Sequence, residues 1–402
     1  MKSIELFAGA GGLALGVAEA GFEHLAVLEW DRFACETLRH NKKRGHRHVK
    51  TWEIVEGDVS DYDYAPHSGR VSLVAGGPPC QPFSLGGKHQ GVDDSRNMFP
   101  EAVRAVRELM PEAFIFENVK GLMRPGFADY YEYTIMRLRY PDCPPKANET
   151  WAQHNRRLMR HHKSSPQDPH YVVEHHLLNA ADFGVPQCRE RVFIVGLRSD
   201  LGAMWEPPVQ THSKAALLHA MHSGTYWSEH RVPTAERRVR TVGYDDGKLR
   251  WRTVRDAIKG LPGPSVVDSR VNGHRFQPGA KSYAGHTGSP LDWPSKTLKA
   301  GVHGVPGGEN MIVFPDGSLR YLTVRESARV QTFDNDFHFG GTWTESMRQL
   351  GNAVPVALAK TVASSVKKSL EDAHRRRSSD EQSAVQPTGE GASRRERRKG
   401  AA

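Results

Sequence analysis

Apolar positions fall into two rhythms along the first half of the chain. Short apolar runs bounded by Gly or Pro alternate with longer stretches in which apolar side chains recur at helical spacing. That alternation predicts a doubly wound α/β fold, a parallel sheet with helices on both faces. Strands are predicted at 3–7, 25–29, 54–55, 73–75, 113–116 and 192–195, and helices at 13–20, 33–41 and 98–109, the last stopped by Pro111. Residues 140–170 are rich in His, Arg and Pro without a clear period, so a solvated insertion is expected there.

The texture changes from about Gly202 to Gly340, where Gly, Pro, Thr and isolated aromatics dominate. A second, irregular and strand-poor domain is expected over 202–340. Helical spacing returns at 344–370, so the first domain, 1–201, is predicted to be completed by 341–372. Residues 373–402 hold clustered arginines and no aromatic after Ala373, and are predicted to be a disordered basic tail.

The 402 residues carry 55 Lys and Arg against 46 Asp and Glu, a net charge of +9 that suits a polyanionic partner without specifying one. Four scattered cysteines exclude a disulfide framework and offer no CxxC pair, so a reducing cytoplasm is expected. The first residues lack the continuous apolar stretch of a signal peptide, and no run reaches membrane-spanning length. Among 21 histidines, pairs such as His161-His162 and His175-His176 are adjacent rather than four apart, and no metal is expected.

Chemistry concentrates at the predicted carboxyl ends of strands. Phe7-Ala8-Gly9-Ala-Gly11-Gly12-Leu13-Ala14 joins the first strand to the first helix, where glycines let a ligand lie against backbone. Glu29 ends the second strand, placed for ribose hydroxyls, and Asp58 follows the third, placed for an adenine amino group. These residues predict an adenosine-containing cofactor and leave NAD and S-adenosylmethionine equally open. Cys80, in Gly76-Gly-Pro78-Pro-Cys80-Gln-Pro-Phe-Ser84 after the fourth strand, reads as a nucleophile rather than a buried apolar residue. Glu117 ends the fifth strand in an apolar setting that would raise its pKa. Arg189 and Arg191 share one side at strand spacing, suiting an anionic or carbonyl-rich ligand.

Taken in order, these residues resemble the cytosine-5 DNA methyltransferase family. The resemblance runs from Phe7-Ala-Gly-Ala-Gly-Gly-Leu13 through Glu29-Trp30-Asp31, Gly57-Asp58-Val59, Pro79-Cys-Gln-Pro-Phe-Ser84, Asp94-Ser-Arg96, Glu117-Asn-Val119 and Gln187-Cys-Arg-Glu-Arg191 to Gly351-Asn-Ala-Val-Pro355. It implies a Rossmann-like domain binding S-adenosyl-L-methionine and a small target-recognition domain across a cleft sized for double-stranded DNA. Trp30 would stack on adenine, Glu29 would take the ribose, and Asp58 and Val59 would meet the adenine edge. Phe7, Ala8, Gly9, Gly11, Gly12, Leu13, Pro78, Asn352 and Ala353 would complete the pocket.

The same resemblance implies that Cys80 adds to carbon 6 of a flipped-out cytosine and that a protonated Glu117 serves nitrogen 3. Arg191 would serve oxygen 2, and Arg189 would hold phosphate or the Cys80 loop. Base-reading residues are expected within 286–310, with Lys296, Lys299 and His303 as candidates, ahead of the family-like stretch from Tyr321 to Phe333. With this domain order the resemblance implies a bacterial or phage enzyme, paired with a separate restriction endonuclease or solitary, and a monomer is expected. RNA methylation, a catalytically silent DNA-binding protein and a nicotinamide-dependent oxidoreductase are the rival readings; the last leaves Cys80, Glu117, Arg189 and Arg191 without a joint role.

Overall fold

Seven strands form one sheet in the order β3-β2-β1-β4-β5-β7-β6. They are β1 (Lys2–Leu6), β2 (Glu23–Glu29), β3 (Ile54–Glu56), β4 (Leu73–Gly76), β5 (Ala113–Val119), β6 (Tyr171–Asn179) and β7 (Glu190–Arg198). The structure is a computed structural model that describes residues 1–79, 97–164, 170–238, 241–264, 271–283, 287–301 and 310–385. The first five strands pair in parallel, whereas β7 runs antiparallel to both β5 and β6. The order reverses between β1 and β4, which opens a crevice at their carboxyl ends.

Helices cover both faces. Ile4 and Leu6 enter one core with Phe99, Val103 and Val106 of α3 (Phe99–Leu109) and with α4 (Ala128–Arg139). On the opposite face, Leu73, Ala75 and Ile115 pack with Val17 of α1 (Gly12–Glu19) and with Leu358 and Val362 of α11 (Val356–Val385). These two helices approach closely: a Cβ on Gly16 would lie 2.4 Å from that of Ala359. Helix α2 (Arg32–Lys43) starts where Asp31 accepts the Ala34 N–H at 2.9 Å and ends in basic residues, a stable polarity for its dipole.

Several elements depart from the sequence-based expectation. Strand β6 was not predicted because it is an edge strand, and His175, His176 and Glu174 break its apolar run. The insertion at 140–170 contains a helix, α5 (Trp151–Ser164), anchored by buried His154 and Leu158. His154 pairs with the Tyr133 hydroxyl at 2.8 Å, so polar contacts replace the apolar stripe that reveals most helices. The single helical stretch expected at 344–370 is two helices, α10 (Trp343–Asn352) and α11, divided at Pro355. Helix α11 continues to Val385, so the expected tail is helical at its start; residues 386–402 lie outside the described residues.

The second lobe is built from α6 (Lys214–His222), α7 (Thr225–Glu229), α8 (Val254–Ile258) and strands of two or three residues, β8 (His212–Ser213) to β12 (Leu319–Tyr321). Its cores gather Leu217, Tyr226 and Trp227 in one cluster, and Val254, Leu298, Ile312 and Leu322 in another. Its boundaries differ from 202–340. Ala203 and Trp205 pack in the first lobe, and the chain re-enters that lobe from α9 (Val324–Val330), where Ala328, Phe333 and Phe337 join Leu15 and Trp52.

Candidate active site

At the carboxyl ends of β1 and β2, the backbone turns sharply. Phe7 and Gly9 both have φ of 55°, and Gly11 at φ 87° precedes α1 without a side-chain cap, leaving first-turn N–H groups for a ligand. Glu29, 6% exposed, ties this corner together. Its carboxylate accepts the backbone N–H of Gly9 at 2.6 Å, Trp30 at 3.0 Å and Asp31 at 2.8 Å. Burial pushes this carboxyl above its ordinary pKa, while the three N–H donors pull the other way.

Beside it the Trp30 indole is 73% exposed, a large apolar plate left in solvent. Asp58 is exposed and accepts the Ser60 N–H at 2.8 Å and hydroxyl at 2.7 Å, which hold its pKa below the usual range. The side chains of Leu13 and Val59 enter cores, so these two residues offer a ligand mainly backbone. A Cβ on Gly12 would lie 2.3 Å from the Val354 carbonyl, which brings Asn352 and Ala353 beside the loop.

The second corner lies at the ends of β4, β5 and β7. The β5–β7 register pairs Val119 with Arg191 and Glu117 with Phe193, so Glu117 and Arg191 are diagonal neighbours on one face. Arg191 Nε meets Glu117 Oε1 at 2.8 Å, with both side chains nearly buried. Burial dominates for Glu117 and raises its pKa, opposed by the charges of Arg191 and Arg189. Asn118 donates from Nδ2 to the Pro78 carbonyl at 3.0 Å, and Met98 N–H donates to Pro79 O at 3.2 Å, so both ends of the Cys80 segment are fixed here. Cys80 itself lies outside the described residues, as do Asp94, Arg96, His286 and His303.

Of the two roles expected for Arg189, holding phosphate does not fit its surroundings, and the Cys80 loop lies outside the described residues. It is 1% exposed, and its guanidinium donates to the Leu298 carbonyl at 3.2 Å and the Gly351 carbonyl at 2.9 Å. A group so enclosed cannot take a DNA phosphate; it joins the two lobes. Neighbouring bonds do the same. Cys188 N–H donates to Ser295 O at 2.8 Å and Leu298 N–H to Gln187 Oε1 at 2.9 Å, while within the first lobe Gln187 Nε2 donates to Gln331 Oε1 at 2.9 Å. Sequence reasoning missed Asn118, Gln187 and Gln331 as organising residues; their signal, polar side chains inside apolar stretches, is faint. Lys296, a candidate base-reading residue, donates from Nζ to Thr287 Oγ1 at 2.9 Å.

Comparison with known proteins decides what this geometry belongs to. A family model described as C-5 cytosine-specific DNA methylase matches residues 1–138 and 150–368. The chain belongs to that family. Type II methyltransferase M.Eco47II of Escherichia coli is 32% identical over 387 residues, covering 93% of this chain and 80% of that protein. M.NgoMIV of Neisseria gonorrhoeae is 31% identical over 372 residues, covering 92% and 97%. The crystal structure of S. pombe Dnmt2 methyltransferase superposes with a TM-score of 0.54 at 17% identity, covering 92% of this chain and 99% of that one, a likeness of fold.

This DNA cytosine-5 methyltransferase therefore takes its methyl group from S-adenosyl-L-methionine and acts on DNA. The first corner fits that donor: a Cβ on Gly9 would meet nothing within 4 Å, so the loop borders open space beside an exposed indole and a carboxylate. The family match omits only 139–149 within its span, so α5 falls inside the matched part and the true insertion is shorter than 140–170. No helix among the described residues is long and apolar enough to cross a membrane.

Proposed function

We propose that the enzyme methylates carbon 5 of a cytosine flipped out of a short, specific duplex DNA sequence, through a covalent bond from Cys80 to carbon 6. The observation that carries this reading is Glu117, a buried carboxyl whose proton is favoured by burial, one residue from the Asn118 that grips the Cys80 segment at Pro78. Ordinary strand ends seldom bury a carboxyl beside two arginines.

The Cys80 thiolate gives an electron pair to carbon 6. The pair of the 5,6 double bond then shifts between carbons 4 and 5 as the pair of the 3,4 double bond moves onto nitrogen 3, which takes the proton of Glu117. The Arg191 guanidinium steadies charge at oxygen 2, and its bond to Glu117 aligns both groups on one base edge. When bound, S-adenosylmethionine supplies an electrophilic methyl group to carbon 5. Nitrogen 3 returns its proton to Glu117, and removal of the carbon-5 proton by a base re-forms the double bond and expels Cys80. Arg189 positions the strand entry and touches no reacting atom.

In the cofactor corner, Glu29 accepts the ribose hydroxyls, Trp30 stacks on adenine, and Asp58 with the Val59 backbone meets the adenine edge. Phe7, Ala8, Gly9, Gly11, Gly12 and Leu13 line the methionine end, closed by Pro78, Asn352 and Ala353. The lobe between Glu206 and Thr323 reads the target sequence. The names of the curated relatives, Type II methyltransferases, support a restriction-modification role. In this reading the enzyme acts as a cytoplasmic monomer beside a separate endonuclease.

Transfer of labelled methyl groups to unmethylated genomic DNA and to total RNA, with bisulfite sequencing of the DNA, tests this reading. Label in 5-methylcytosine at one short motif is the expected result. Label confined to RNA, or DNA binding without label, overturns it.

A further inference from the structure

Away from both corners, one buried side chain has nothing to bond. His46, in the turn after α2, is 4% exposed, and neither ring nitrogen has a hydrogen-bond partner among the described residues. Its Nε2 faces two carboxylates from the far end of the chain, Asp334 Oδ2 at 3.8 Å and Asp336 Oδ1 at 3.8 Å. Those separations are too long for hydrogen bonds. They are near what a shared cation requires, since two donors each about 2.1 Å from a tetrahedral ion stand about 3.4 Å apart. The three donor atoms all lie within 4.8 Å of one another.

We propose that His46, Asp334 and Asp336 form a structural site for a divalent transition-metal ion of the zinc class, with water completing the coordination. One imidazole and two carboxylates suit zinc or cobalt better than calcium or magnesium, which favour all-oxygen shells.

The frame is already rigid. Phe337 packs edge-on against the His46 ring with centroids 5.4 Å apart. Asn41 donates from Nδ2 to the His338 carbonyl at 2.7 Å and accepts the His338 N–H at Oδ1 at 2.9 Å, joining the two ligand-bearing segments. Arg325 donates to the Asp334 carbonyl at 3.0 Å and the Phe337 carbonyl at 2.7 Å, fixing the turn. The carboxylates are 37% and 68% exposed, so an ion can enter from solvent and small rotations can shorten the distances.

One neighbour competes. Arg47 pairs with Asp334 Oδ2 at 2.8 Å and with Glu19 at 3.2 Å, so the ion must share Asp334 through its other oxygen or displace Arg47 onto Glu19. The ion would clip the first lobe to the point where the chain returns to it. Ligands drawn from opposite ends of the sequence leave no spacing motif, which explains why inspection of the histidines predicts no metal.

The test is cobalt titration of the full chain, stripped with chelator and desalted. The expected result is one equivalent of Co²⁺ with weak visible bands and no strong ultraviolet thiolate band, displaced by Zn²⁺, and a thermal midpoint raised by a few degrees. Asp336→Asn leaves the Arg47 pair intact and should keep the metal-free midpoint. It should weaken Co²⁺ by at least what loss of an outer-shell partner costs, roughly ten- to a hundredfold. His46→Gln should do the same. No uptake, uptake equal in both variants, or a sulfur-ligated spectrum would overturn the site, and the first outcome would leave His46 as a cation-free partner of the two aspartates.

Discussion

Two buried glutamates sit at two corners of one sheet edge, and they are held in opposite ways. Glu29 at the cofactor corner is gripped by three backbone N–H groups, so its position is written into the chain path itself. Glu117, at the proposed catalytic corner, receives no backbone N–H among the described residues and pairs directly with one side chain, Arg191. Burial lifts both carboxyls. At both, burial outweighs the opposing groups: at Glu29 these are backbone N–H donors, which suit the proposed ribose contact, and at Glu117 they are the charges of Arg191 and Arg189, which suit the proposed proton transfer. Backbone anchoring suits recognition, and side-chain anchoring suits proton transfer.

The largest expected effect breaks the catalytic corner alone. Glu117→Gln should lower the methyl-transfer rate about 10²–10⁴-fold while S-adenosylmethionine affinity stays near wild type, measured by single-turnover transfer and calorimetry. The pH dependence carries a sign. In the proposed mechanism the protonated carboxyl is the active form, so wild-type rate should fall as pH rises through the elevated Glu117 pKa, and Glu117→Gln should lose that limb. An unchanged profile would mean that Glu117 acts only as a charge.

Glu29→Gln should give the mirror image. Cofactor Kd should rise about tenfold, roughly 1.4 kcal/mol, with the rate at saturating cofactor little changed. A large loss of saturated rate would show that the two corners are not separable.

Smaller still in its effect on chemistry is the seam between lobes. Arg189→Met strands the Leu298 and Gly351 carbonyls and should cost about 1–3 kcal/mol of stability in denaturant melts. Gly351→Ala should cost about as much by overpacking, because its Cβ would fall 2.2 Å from the Ala300 nitrogen. Neither variant should show the pH signature of Glu117. The least effect is expected of Trp30→Ala, which removes an exposed ring, leaves stability unchanged and weakens cofactor binding by about 0.5–1.5 kcal/mol.

How legible each region is in the sequence follows the same division. The turn after β1 reads well because glycines with positive φ, a strand and an acidic end form a local motif within thirty residues. The parallel strands also read well, since burial on both faces makes them continuous apolar runs. Helices α4 and α5 do not, because tyrosines and histidines bury themselves there through hydrogen bonds rather than apolar period, and strand β6 does not because half-buried His175, His176 and Glu174 interrupt it. Arg189 reads as a ligand-binding twin of Arg191, yet its partners come from Leu298 and Gly351, which strand spacing cannot reveal. The lobe boundaries shift for a similar reason: Trp205 leaves its irregular surroundings to donate to Ser365 at 2.8 Å.

The most direct test of the account is covalent trapping on duplex DNA whose target cytosine carries fluorine at carbon 5, with S-adenosylmethionine present. Fluorine cannot leave as a cation, so the adduct at carbon 6 should persist as a denaturant-stable complex, with the linkage mapped to Cys80 by mass spectrometry. Cys80→Ser should give none, and Glu117→Gln should form it far more slowly. A stable complex that forms equally well with Cys80→Ser, or one linked to another residue, would contradict the account.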